Sequence, residues 1–406
     1  MIYRADWLHP IVGPPIEDAW VEVVGDRVVA LGSGTASDAV DLGRAVILPA
    51  LVNAHTHLEL SHLAGCVPPT TSLPDWVRAL LAARERESDS SVIVAAARHA
   101  IGALRRAGTG LVGEVTNSLI TVPLLAEARL ASQVFFEIIG FNVPDPGAVV
   151  RDARARVRGL VRDADDDSAL VRVNLAPHAP YSVSPELLRA LHADLDVEPD
   201  GRSTVHLGES PEEVELLALG TGGWRDLLEE LGAWNSEWQA PGMSPVAYLS
   251  DLGVLDGRTA VVHATQCSGD DLDRLRVLGA CVVACPRSNQ HVGVGSPPLE
   301  AFYAMDVTVA FGTDSLASVD SLSVFDELAE ARRIAPRVPA RRLLDSATRG
   351  GARALGFDDQ VGTIEPGRSG RLIAVRVPDD RRDVEEYLVS GVETSAIQWL
   401  EDLASD

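Results

Sequence analysis

The 406-residue sequence contains no lysine, so all 35 of its Lys and Arg positions are arginine. That absence excludes Schiff-base catalysis, a lysine-bearing phosphate loop and a carbamylated-lysine bridge between two metal ions. Positive charge is scarce altogether, with 59 acidic residues and a net charge of -24. So acidic a chain repels nucleic-acid phosphates and anionic membranes, and neither is expected as a partner. No apolar run reaches the roughly 18 residues of a membrane span, and Met1 to Pro15 lacks the basic-then-apolar pattern of a secretory signal. The four cysteines, Cys66, Cys267, Cys281 and Cys285, lack metal-finger spacing. On a strand, Cys281 and Cys285 would stand about 13 Å apart, beyond the ~7 Å reach of a disulfide. A reduced, cytoplasmic chain is expected.

What the chain has is core. With 46% hydrophobic residues, it can fill one barrel of about 250 residues and an accessory domain. The first fifty residues carry short β signals, including a hairpin where VEVVG turns at Gly25-Asp26 into RVVALG. Buried-strand runs then alternate with helical stretches: VILPALVNA ending at Ala54, LVGEV (111–115), VFFEIIGF (134–141), LVRVNLAP (170–177), STVHLGE (203–209), AVVHA (260–264), ACVVACP (280–286) and VTVAFG (307–312). Gly108 and Ser184 stand at expected helix ends. Eight such units, with no GxGxxG turn after any run, favour a closed (β/α)8 TIM barrel over an open doubly wound sheet. Past Gly356 the chain returns to strand-and-turn character. The expected α/β organisation is therefore a barrel over 49–360, with segments 1–48 and 361–406 forming a small composite β-sandwich domain. The insertion from Thr221 to Ser250, rich in Gly and Trp, is long for a βα connection and suits a loop that covers substrate.

The strongest chemical signal is Asn53-Ala-His55-Thr-His57, at the end of the first run. Histidines at i and i+2 on an extended segment point the same way and can reach one metal ion. Taken alone, such a pair is as readily two polar loop residues. However, His55, His57, His178, His206 and His263 all fall at or just past the C-terminal ends of strand runs, the active-site face of such a barrel. Asp314, in FGTDS after the eighth run, adds a carboxylate and completes a donor set suited to zinc or ferrous iron. Glu209 follows His206 by three residues and can carry a proton on the substrate side, while Asp314 and His263 serve the water side. His9, His62, His99 and His192 read as structural. Glu114 and Glu137 read as supporting groups, and Asn289 and His291 as pocket-lining or loop-capping residues.

In order and spacing, LPALVNAHTHLELS, HLGES, VVHATQ and FGTDSLAS resemble the mononuclear deaminase and chlorohydrolase branch of the amidohydrolase superfamily over nearly the whole chain. The resemblance implies hydrolytic replacement of an amine or halide on an aromatic carbon. It implies His55, His57, His206 and Asp314 around one divalent ion, zinc or alternatively iron. Glu209 would then protonate the substrate ring, Asp314 accept the water's proton and His263 polarise the water. HAPYSVSPEL, HLGES with EEVELL, and CPRSN are similar to the subgroup containing aminodeoxyfutalosine deaminase of menaquinone synthesis, and more distantly to S-adenosylhomocysteine and methylthioadenosine deaminases. In that subgroup the position of His178 contacts substrate, and the loop SLPDWVRAL offers Trp76 and Arg78 as further substrate contacts. The other readings are a guanine, cytosine or triazine deaminase or chlorohydrolase, and an inactive barrel scaffold, which the intact donor set disfavours. A small-molecule substrate and a homodimer complete the expectation.

Overall fold

A computed structural model of the chain describes residues 1–162, 170–198 and 200–404. Strands β1 (Ile2–Leu8), β2 (Ile16–Val24), β3 (Arg27–Ser33), β4 (Val40–Asp41) and β5 (Ala45–Pro49) open the chain. β2 and β3 pair antiparallel with Val24 opposite Arg27, across a turn where Gly25 takes a φ of 60°. From the other end come β14 (Leu372–Arg376) and β15 (Ile397–Trp399). The seven strands form one sheet in the order β15-β14-β5-β1-β2-β3, with β4 paired to β1. Tyr3, Leu8, Val21, Ile47, Leu372 and Leu400 fill its core.

The first expected strand run divides in two. β5 pairs with β1 and β14 in the terminal sheet, and after Ala50 the chain enters β6 (Leu51–Thr56), which pairs with β7 (Thr109–Thr116). Pro49 has no N–H to continue a ladder, so the change of sheet falls where pairing is cheapest to interrupt. β6, β7, β8 (Ala131–Ile138) and β9 (Val171–Pro177) make one four-stranded parallel sheet. β10 (Ser203–Leu207), β11 (Thr259–His263), β12 (Cys281–Ala284) and β13 (Thr308–Phe311) make a second. Every residue of β7 and β8 is buried, as expected for parallel strands covered on both faces.

The two sheets meet along both edges. At one seam the N–H groups of Thr313 and Asp314 donate to the His55 carbonyl at 3.1 and 3.0 Å, and the Asn53 side chain exchanges two hydrogen bonds with Thr313. At the other, His206 N–H donates to the His178 carbonyl at 2.9 Å. Both seams carry predicted site residues, so the contacts that join the two sheets also bring these residues together. Gly312 permits the first seam, because a Cβ there would stand 2.6 Å from the His55 Cβ.

Two helices precede β7: α1 (Leu73–Arg86), whose first turn is capped by the Ser72 side chain, and α2 (Ser90–Arg106), closed by Gly108 at a φ of 80°. Ser184 caps the helix Pro185–Leu195 as its position suggested. All four cysteines are free, and no described helix is long and apolar enough to cross a membrane.

Candidate active site

His55 is the penultimate residue of β6, its side chain is 1% exposed, and neither ring nitrogen has a hydrogen-bond partner. A buried imidazole with two orphaned nitrogens is costly unless another ligand satisfies it. Its neighbours are further donors. His55 Nε2 and His57 Nε2 lie 3.9 and 3.7 Å from Asp314 Oδ1, and His57 Nε2 lies 3.4 Å from His206 Nε2. His206 Nδ1 faces the His178 carbonyl at 3.1 Å; with its proton there, Nε2 is left as a lone pair toward the cluster. Burial lowers the proton affinity of His55 well below the ordinary histidine value and takes His206 down to about 4, so both rings are neutral and able to ligate near neutral pH. His55, His57 and Asp314, and likewise His55, His206 and His263, bring donor atoms within 4.8 Å of one another. Three imidazole nitrogens and one carboxylate fit a divalent ion of the zinc or iron type.

Glu209 sits two residues past β10, after Gly208 turns the chain at a φ of 62°. Its own N–H and that of Gly208 donate to the Glu213 carboxylate at 2.8 and 2.9 Å, which fixes the backbone that carries it. Burial, and then the neighbouring Asp314 and Glu213 carboxylates, hold the Glu209 carboxyl well above its usual range. A shift in that direction favours the protonated form, the form a proton donor needs. His263 Nε2 lies 3.4 Å from Glu209 Oε1, and Asn289 Nδ2 lies 3.0 Å from His263 Nδ1. Asp314 accepts a 2.6 Å hydrogen bond from Ser288. His263 and Asp314 both hold positive φ, 74° and 62°, a strain that the surrounding hydrogen bonds maintain.

These groups open into a cavity of about 470 Å³ whose floor includes His57, His178, His206, Glu209, His263 and Asp314. The structure thus brings together every predicted metal and proton-transfer position and His178, which is fixed by a hydrogen bond between Nδ1 and Ser182 Oγ. Trp76 is buried and lines the cavity. Arg78 does not: it turns away into ion pairs with Glu230 and Asp75 at 2.8 and 2.9 Å, bracing α1 against the helix Gly223–Glu230. The long insertion contributes Trp224, Leu227, Leu228 and Leu231 to the cavity lining, and Trp224 stacks on Tyr181 at 3.7 Å between ring centroids.

Asn289 supports His263 rather than lining the cavity, and His291 points to the Val67 carbonyl. Glu137 lines the cavity and accepts from Asn117 at 2.9 Å, whereas Glu114 is buried beneath it, holding Thr56 and the Leu58 N–H. Sequence reasoning missed Glu59, which accepts from the Thr116 and Ser118 hydroxyls and the Asn117 N–H, and also Glu213 and Ser288. For Glu213 a signal existed, since Ser210 and Glu213 have capping-box spacing, and Ser210 does cap the helix Pro211–Leu219. The glutamate instead reaches back past the cap to Gly208 and Glu209.

A model of the amidohydrolase family matches residues 46–395. The aminodeoxyfutalosine deaminase of Deinococcus radiodurans is 33% identical over 377 residues, covering 87% of this chain and 85% of the relative. The 5-methylthioadenosine/S-adenosylhomocysteine deaminase of Teredinibacter turnerae is 30% identical over 403 residues, 92% of this chain and 84% of the relative. Among solved structures, an adenosine deaminase from Xanthomonas campestris with bound zinc superposes with a TM-score of 0.82 at 25% identity, covering 98% of this chain and 90% of that one.

Proposed function

The chain belongs to the amidohydrolase family, and on that footing we propose that it is a metal-dependent deaminase of adenine nucleosides, releasing the 6-amino group as ammonia. The observation that carries this reading is the pairing of an orphaned His55 imidazole, set among converging donor groups, with a buried Glu209 whose carboxyl is held well above its usual range beside the same cavity. His55, His57, His206 and Asp314 would hold one divalent ion, with zinc favoured by the zinc-bound relative and iron the alternative. Such an ion lowers the pKa of a water from ~15.7 to near ~7 and so supplies a nucleophile at neutral pH.

The chain's own residues do the rest. Glu209, held neutral, donates its proton to a ring nitrogen and so draws electrons from the carbon under attack. Asp314 takes the proton of the incoming water, and His263, fixed by Asn289, orients that water. Proton return to the amine lets C–N cleavage proceed, so the products are the 6-oxo nucleoside and ammonia. His178 and Trp76 are assigned to substrate contact. On the same reading the two four-stranded sheets are halves of one closed (β/α)8 barrel, spanning 49–360, and segments 1–48 and 361–406 form the accessory β domain, built on the single seven-stranded sheet rather than on the two sheets of a sandwich.

The favoured substrate is aminodeoxyfutalosine, supported by the Deinococcus relative. The Teredinibacter relative supports methylthioadenosine or S-adenosylhomocysteine as the second choice. Ammonia release by the zinc-loaded protein across these three, with adenosine, guanine and cytosine alongside, tests the proposal. Release from adenine nucleosides alone is expected, with aminodeoxyfutalosine giving the highest kcat/KM. Release from guanine or cytosine alone would overturn it.

A further inference from the structure

The cavity is acidic at its floor and apolar along one wall, with a single strong cation. Glu137, Glu209 and Asp314 face it, and the only arginine lining it is Arg84. Arg84 is exposed and has neither a salt bridge nor a hydrogen bond to protein among the described residues, unlike Arg78 on the same helix. It continues the face of α1 that carries Leu73, Trp76, Val77, Leu80 and Leu81, all of which line the cavity at helical spacing. Across from that face, Ile139 and Leu231 also line the cavity while remaining 57% and 56% exposed. Large apolar groups left half-bare at a cavity mouth mark a surface that a ligand covers.

The direction of a bound ligand follows from the strands. The groups given to chemistry come from β6, β10, β11 and β13, whereas Asn117, Glu137 and Ile139 stand at or after the ends of β7 and β8. A nucleoside whose ring meets Glu209 therefore extends its substituent toward β7, β8 and α1, along the apolar wall to Arg84. In a chain of net charge -24, the Glu137 carboxylate that lines the cavity would repel an anionic ligand, and the Arg84 guanidinium is the feature that reverses this locally.

We propose that Arg84 is a specificity-determining residue that selects adenine nucleosides whose 5′ substituent is apolar and ends in a carboxylate. This rests on the deaminase reading above and narrows its substrate class. One guanidinium suits a monoanion, which it can engage through two parallel hydrogen bonds. A phosphate dianion would keep one charge that the single guanidinium does not compensate.

The test compares kcat and KM of the zinc-loaded protein for a carboxyaryl nucleoside, aminodeoxyfutalosine, with those for its methyl ester and for methylthioadenosine. Arg84→Gln is expected to raise KM for the acid by about tenfold or more, the loss of a charge-assisted pair. It should leave kcat, and both neutral substrates, within roughly twofold of the parent. Arg84→Lys should recover part of the loss, and added salt should raise KM for the acid in the parent but not in Arg84→Gln. An equal effect on acid and ester, or no effect on either, overturns the assignment while leaving the deaminase intact. Ammonia from none of the three overturns the deaminase reading and this inference with it.

Discussion

Glu209→Gln is expected to lower kcat on the best adenine nucleoside by about 10²- to 10⁴-fold, the usual worth of a positioned proton donor, while the chain still binds zinc as the parent does. The separation of the two effects follows from geometry. Glu209 touches His263 at 3.4 Å, and its backbone is pinned by Glu213, but its carboxyl is not among the donor groups that converge on His55. Glutamine preserves shape and burial and cannot release a proton. Because burial and two adjacent carboxylates already favour the neutral form, losing the charge costs the fold little. Rate measurements with parallel metal analysis check this. Unchanged turnover would remove Glu209 from proton transfer, and lost zinc would make it a ligand.

His55→Ala should remove both metal and activity. His55 joins two of the three donor triads among the described residues, those with His206 and His263 and with His57 and Asp314, so its loss leaves each of these with two members, while Glu137, His178 and His206 form the third. In the parent, zinc at one hundred times its Kd should stabilise the fold by about 2.7 kcal/mol, read as a rise in Tm. In His55→Ala that rise should vanish, with ammonia release at background. A variant that still gains thermal stability from zinc would place the ion elsewhere. The comparison is clean because His55 has no protein hydrogen bond to lose; its ring only fills space and offers nitrogen.

How far the sequence carried the site depended on whether spacing or packing placed each residue. His55 and His57 were legible because strand geometry fixes the direction of residues i and i+2, and His206, His263 and Asp314 because each lies near or just past the C-terminal end of a buried run. Arg78 was misplaced for a reason helix geometry contains: it lies two residues from Trp76, about 200° around α1, so the two cannot face one cavity. Arg84, eight residues on and about 80° around, can. Glu213 and Ser288 were hidden because their roles depend on a turn and on a neighbouring strand. The same holds for the first run, in which periodicity counts apolar residues but Pro49 decides that two sheets share them.

The most direct test of the central claim is a titration of chelated, metal-free protein with zinc, followed by ammonia release from aminodeoxyfutalosine and methylthioadenosine. Activity absent at the start, rising with added zinc and saturating at one equivalent per chain is the result this account predicts. Full activity in the metal-free protein, or no ammonia from either nucleoside once zinc is bound, would contradict it.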